Sequence, residues 1–230
     1  MALSKRLLAI YHMVERGSVA ADIGCDHAQL SIALVQNDIC SHVYACDLRE
    51  QPLQRATEAI QAVHLQNQIT PCLKNGIAQL SPEVSTIVIA GMGVETALMI
   101  LSDHPEELQE HRTFIIQVNR HVDKLRSWIS EHHYTILKEA LVEEDHFYEI
   151  VCFRCQYHDA YSEEEQLFGV YMKNEPLYER YLKHRLAQLE FILAQLPSEH
   201  QRRMHMERLQ QMILKQLYQT HIKTVLNEDS

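Results

Sequence analysis

Between residues 18 and 133 the hydrophobic residues of this chain change period again and again. The runs "SVAADI", "HVYACD", "ITPCLK", "STIVIAG" and "TFIIQVN" have the length and apolar content of buried strands. Most are followed by stretches whose apolar residues recur every three or four positions: "HAQLSIALVQ", "EQPLQRATEAIQAVHLQ", "VETALMIL" and "HVDKLRSWISEHH". Parallel strands need long crossovers, and helices are the usual ones. This order of periods therefore predicts an α/β fold, a parallel sheet with helices on both faces.

The alternation stops near Tyr134. "YTILKEALVEED" and "FYEIVCFRC" follow one another across a short polar turn and predict an antiparallel pair. Five strands plus this pair make seven. That count, with one antiparallel strand among parallel ones, resembles the Rossmann-like fold of S-adenosylmethionine-dependent methyltransferases. Ahead of the sheet, Leu7, Leu8, Ile10, Tyr11 and Val14 fit one face of a helix. From Tyr161 onward the pattern is purely helical. Tyr178, Leu182, Leu186, Leu189, Leu193 and Leu196 form one apolar series, and Met206, Leu209, Ile213, Leu217 and Tyr218 a second. Ser198 and Gln201 have capping-box spacing ahead of the second series. The expectation is a catalytic domain over 1–160 and a coiled-coil-like helical hairpin over 161–230, which serves packing, oligomerisation or the grip on a large substrate.

Composition narrows the setting. With 46% hydrophobic residues, six Gly and six Pro in 230, the chain is globular. No apolar stretch reaches membrane-spanning length, and "MALSKRLLAIYHMVERG" is charged too early for a secretion signal, so a cytoplasmic protein without a membrane partner is expected. The six cysteines sit mostly in apolar runs, as reduced core thiols do. A formal charge of −10 argues against indiscriminate nucleic-acid binding. The deficit is uneven: residues 1–160 carry 12 Lys and Arg against 21 Asp and Glu, residues 161–230 carry 9 against 10.

The first strand ends in Asp22, and the turn after it reads Gly24, Cys25, Asp26, His27 before a helix expected to open near His27. A helix N-terminus offers unpaired N–H groups to an anion, and Gly24 lets backbone approach a ligand closely. Two acids there would repel a diphosphate. They suit a ligand that carries ammonium and sulfonium as well as carboxylate, namely S-adenosylmethionine. Asp47, with Leu48 beside it, closes the second strand 23 residues after Gly24, the spacing of an acid that accepts from ribose hydroxyls. In "LKNGIA", Asn75 and Gly76 read equally as an adenine contact or as an ordinary turn. Gly91 and Gly93 leave room for a base, or allow close helix packing. Gln117 and Asn119 end the fifth strand, where their amides can meet an adenine edge or cap the next helix.

"LSKRL", "ADIGCDHA", "IAGMG", "IIQVN" and "VEEDHFYEIV" occur together and in this order. In this the whole chain resembles the bacterial tRNA adenine-22 N1-methyltransferase family (TrmK), whose corresponding motif is "DIGSDHA". The resemblance implies a seven-stranded methyltransferase domain, S-adenosyl-L-methionine as donor with S-adenosyl-L-homocysteine as product, and a C-terminal coiled-coil pair that helps hold tRNA. Three positions depart from the family pattern: Asn75 replaces an acid, Val94 a glycine and Val118 a proline.

Adenine N1 is already a nucleophile, so the reaction needs positioning of an unpaired base and stabilisation of the positive charge that moves onto the purine. Asp26 is the expected catalytic carboxylate, with His27 as its partner and Asn119 at the base; a helix-capping role is the alternative for Asp26 and His27. Lys5, Arg6, Arg120, Arg202, Arg203 and Arg208 are the expected phosphate contacts. Cys152 and Cys155 have metal-like spacing but no companion ligands, so no metal is expected. A methyltransferase of another RNA or of a small molecule, and a non-catalytic RNA-binding protein on the same fold, are the competing functions. A nicotinamide dehydrogenase is disfavoured by the acids around Gly24.

Overall fold

The computed structural model describes residues 3–197 and 199–228, with side chains through residue 220. The elements of the sheet domain run α1 (Lys5–Met13), β1 (Ser18–Ile23), α2 (Gln29–Gln36), β2 (Cys40–Asp47), α3 (Glu50–Ala62), β3 (Ile69–Leu73), β4 (Thr86–Met92), α4 (Val94–Ser102), β5 (Thr113–Val118), α5 (Val122–Glu131), β6 (Tyr134–Glu143), β7 (Phe147–Tyr157) and α6 (Glu163–Phe168). Among the described residues the strands form one seven-stranded sheet, in the order β3-β2-β1-β4-β5-β7-β6. The pairs from β3 to β5 are parallel, while β7 runs antiparallel to both β5 and β6. The expected alternation and closing pair are both present.

Alternate side chains of the central strands feed two cores. Ile87, Ile89, Phe114 and Ile116 face α4 and α5, meeting Ala97, Leu101, Leu125 and Ile129. Ala20, Val88 and Ile115 face the other layer, where Ile10 of α1, Leu34 of α2 and Ile60 of α3 lie. Val94 and Val118 belong to the first core, so these two departures from the family pattern fill the interior. The same alternation separates the "CFRC" thiols. Cys152 packs in one core and Cys155 in the other, on opposite faces of the sheet, so they cannot share a metal ion.

Two local expectations need correction, and a third lies outside the described residues. Leu8 is exposed, and Met13 joins Ile10 as a buried contact of α1. Helix α2 begins at Gln29 and not at His27, because Asp26 and Ala28 adopt left-handed backbone, which ends any helical run through the turn. The expected capping box falls on Ser198, outside the described residues; a complete box is formed by Ser162 and Glu165 at the start of α6.

The chain divides into two compact units, 1–170 and 171–230, so the boundary lies later than the 160/161 expected from composition. Residues 161–170 pack with the sheet unit. The Ile136 amide donates to the Tyr161 hydroxyl at 2.8 Å, and the Tyr161 amide donates to Ser130 Oγ at 2.8 Å. On α5, fully buried Arg126 donates from Nε to Glu139 Oε1 at 2.6 Å and from Nη2 to Glu149 Oε2 at 2.7 Å. One guanidinium thus ties α5 to β6 and β7.

The second unit is a pair of helices, α7 (Tyr178–Gln195) and α8 (Arg203–Glu228). Leu182, Leu189, Leu193 and Ile213 are buried in it as the spacing predicts. The seam is not purely apolar: the Tyr178 hydroxyl donates to Gln216 Oε1 at 3.3 Å, both residues being buried. Tyr218, expected inside, is exposed, as are Phe191 and Met204. No helix of the described residues is long and apolar enough to cross a membrane.

Candidate active site

The C-terminal ends of β1, β2 and β4 open into a cavity of about 540 Å³. Crevices at this end of a parallel sheet are where α/β folds bind ligands, and this volume lies in the range of small-molecule sites. The turn after β1 forms its floor. The amides of Gly24 and Cys25 both donate to the Cys46 carbonyl, at 2.8 and 3.0 Å, which suspends the turn from the end of β2. Gly24 has φ +76°, so the backbone conformation favours glycine, and a Cβ there would lie 2.5 Å from Met92 Cε and push that flexible side chain aside. Asp26 (φ +46°) and Ala28 (φ +53°) adopt the same region without that freedom, held in part by the Ala28 amide donating to the Cys25 carbonyl at 2.7 Å. Backbone held in this region clusters at functional sites.

The acids at the strand ends differ in character. Asp22 is buried; Ser31 Oγ donates to its Oδ2 at 2.6 Å, and burial pushes the carboxyl up to about 6 against the pull of the Ser31 hydrogen bonds. Asp47 is also buried and accepts from the Arg49 amide on Oδ1 at 2.9 Å. Asp26 is exposed. Arg55 Nη2 donates to its Oδ1 at 3.1 Å, and His27 Nε2 lies 3.6 Å from its Oδ2. The Cys25 thiol is buried, and burial together with the charges of Asp22 and Asp47 raises its pKa, leaving a weak nucleophile.

Of the residues singled out from sequence, Asp22, Gly24, Cys25, Asp26, His27, Asp47, Leu48, Asn75, Gly76 and Gly91 all line this one cavity. Arg6, expected as a phosphate contact, lines it too. Gly93 and Asn119 lie off the wall. Gly93 caps the start of α4, and Asn119 Nδ2 donates to the Gly91 carbonyl at 3.1 Å. Thr96, Met99 and Ile100 of α4 also line the cavity, as do Arg49 and Lys74. Nothing in the spacing of the α4 residues separates them from core positions, and sequence reasoning missed them. It missed Ser31 and Arg55 for a related reason: an ion pair or hydrogen bond between elements leaves no period.

The remaining basic positions differ in exposure. Lys5 is exposed and donates to the Glu143 carbonyl at 3.3 Å, while Arg120 and Arg202 are exposed. Arg208 is exposed on α8. Arg203 is committed within the hairpin: its Nη1 donates to the carbonyls of Leu193 and Leu196, at 3.1 and 2.8 Å, and its Nε pairs with Glu207. It closes the end of α7.

A family model described as a methyltransferase domain matches residues 3–151. The tRNA (adenine(22)-N(1))-methyltransferase of Bacillus subtilis (strain 168) is 31% identical over 146 residues, which span 63% of this chain and 61% of that protein's length. The structure of M. capricolum TrmK with S-adenosyl-homocysteine superposes with TM-score 0.83 at 30% identity, covering 94% of this chain and 98% of that one. The chain belongs to the TrmK methyltransferase family. A Streptococcus pneumoniae structure solved with S-adenosyl-L-methionine, also 30% identical, superposes with TM-score 0.85 over 94% of this chain and all of that one.

Proposed function

We propose that this protein transfers a methyl group from S-adenosylmethionine to N1 of adenine 22 in tRNA, in the cytoplasm where tRNA is matured. The observation that carries this reading is the cavity itself: a glycine turn with buried acids at two successive strand ends, in a chain of the TrmK family. The residues present fit the donor. Asp22 suits its ammonium and Asp47 its ribose hydroxyls, and the left-handed turn at Gly24 lines the cavity beside them. When bound, S-adenosylmethionine supplies an electrophilic methyl group.

The chain's own residues then have three tasks. Asp22 and Asp47 orient the donor end of the cavity. Asp26, exposed on the cavity wall beside His27, stabilises positive charge as it reaches the purine. Asn119 holds the Gly91 carbonyl and so fixes the shape of the wall where the base enters. A base is not required to create the nucleophile, so orientation carries most of the rate. Methyl incorporation into full-length tRNA, followed by mapping of the modified nucleotide, tests the assignment. Incorporation into no RNA overturns it, as does equal incorporation into a transcript with guanine in place of the target adenine.

Two further outcomes are expected. An acid whose folded pKa is raised weakens the ligand-free fold above that value, so the free protein gains stability as pH falls through about 6. A ligand ammonium favours the ionised form of Asp22. Calorimetric affinity for S-adenosylhomocysteine should therefore be greatest above about pH 6 and fall toward tenfold per unit below it. Asp22→Asn removes that part of the pH dependence; an unchanged profile in the variant denies Asp22 the role. Binding of tRNA through Lys5, Arg120, Arg202 and Arg208 predicts that Kd rises at least about tenfold between about 50 and 200 mM salt. Filter binding across that range checks it, and a flat response excludes a phosphate-dominated interface.

A further inference from the structure

Four segments far apart in sequence meet at one guanidinium. Arg6 of α1 is half-buried in the cavity wall, and its Nη1 donates to Gln117 Oε1 of β5 at 2.6 Å. The same oxygen accepts from the Gly91 amide at 2.9 Å, where β4 carries an extra residue against β5. Tyr148 of β7 lies under the guanidinium, 5.4 Å from its centre, and Glu144 accepts from the Arg6 backbone amide at 3.1 Å.

Among the described residues the Arg6 guanidinium has no carboxylate partner; it is held by a neutral amide and an aromatic face. Gln117 is fully buried, and its amide nitrogen faces Asn119 Oδ1 at 3.5 Å, so it is not available to read a base. A neutral acceptor fixes a cation without cancelling it. A cation so fixed and partly desolvated is set to receive an anion by charge-assisted hydrogen bonds.

We propose that Gln117 is a positioning residue that presents Arg6 to an oxyanion of a bound substrate. The inference rests on the methyltransferase reading above for what enters the cavity. Two oxyanions are available there: the carboxylate of the donor's methionine end and a phosphate of the target nucleotide. Arg6 is in this role a ligand contact inside the cavity and not one of several surface charges.

The test uses the full-length protein, Arg6→Met, Gln117→Glu and Gln117→Met. Gln117→Glu keeps an oxygen acceptor for both donors but supplies the missing counter-charge. Calorimetry measures Kd for S-adenosylhomocysteine and for 5′-methylthioadenosine, which lacks the carboxylate, and filter binding measures Kd for tRNA. Arg6→Met and Gln117→Glu should weaken the same ligand by about tenfold or more, with thermal melting of Gln117→Glu close to the parent. Loss confined to S-adenosylhomocysteine identifies the carboxylate; loss confined to tRNA identifies the phosphate. The double variant Arg6→Met with Gln117→Met should be no weaker than Arg6→Met alone, which a packing role for Gln117 would not produce. If Arg6→Met and Gln117→Glu bind all three ligands as the parent does, the proposal is overturned. Absence of methyl transfer by the parent would instead overturn the assigned activity, and the three binding constants would still report on Arg6.

Discussion

Asp26→Ala should lower methyl transfer to tRNA about a hundredfold or more while S-adenosylhomocysteine still binds within about threefold of the parent. The expectation follows from where the carboxylate stands. Its side chain is 62% exposed and lines the cavity, and its partner Arg55 is itself 45% exposed. An ion pair between such exposed groups contributes little to stability, so it leaves the carboxylate able to serve a purine that becomes cationic as the methyl group transfers. The donor, by contrast, is assigned to Asp22, Asp47 and the Gly24 turn. Single-turnover rates and calorimetry on Asp26→Asn, which keeps the side chain's shape, separate charge from geometry. Arg55→Met is the control. If it matches Asp26→Ala, the pair is structural; if Asp26→Asn turns over normally, the carboxylate has no part in the reaction.

The second large effect concerns the fold. Arg126→Met should cost about 3–5 kcal/mol of stability and lower the melting temperature by roughly 6–20 °C. Arg126 and Glu139 have no exposed side-chain surface, and Glu149 has 11%. Removing the cation leaves the Glu139 carboxylate buried without its guanidinium, and the desolvation of that charge exceeds the loss of the pair itself. Chemical denaturation of Arg126→Met and of Arg126→Met with Glu139→Leu distinguishes the two terms. The double variant should recover much of the loss, because the most deeply buried carboxylate leaves together with the cation. Equal stabilities for the two variants would show that burial of Glu139 is not the cause.

How much of this was legible depends on whether the information was local. The order of elements was, because each strand and helix announces itself by its own period, and the register of acids at the ends of β1 and β2 follows from strand length. So was the fact that Asp22, Gly24, Asp47 and Gly91 share a site, since the ends of neighbouring parallel strands must meet. Arg6 was legible as a residue and not as a place: its surroundings come from β4, β5, β7 and the β6–β7 turn, which no window of sequence joins. The surroundings of Asn119 and Arg203 were not legible for another reason. Their side chains satisfy backbone carbonyls, of Gly91 and of Leu193 and Leu196, and which carbonyls need a donor is decided only when helices and turns end. The start of α2 moved because left-handed backbone at Asp26 and Ala28 is imposed by the turn and not by intrinsic preference.

The wall around Arg6 also fixes an order of assembly. Residues 144 and 148 leave the ribosome long after residue 6, and β7 enters the sheet between β5 and β6 only once both neighbours exist to pair with it. A nascent chain that has completed β5 can build the floor at Gly24 yet lacks the aromatic face and the acid that steady the first helix. The wall around Arg6 is therefore complete only after β7 has joined the sheet.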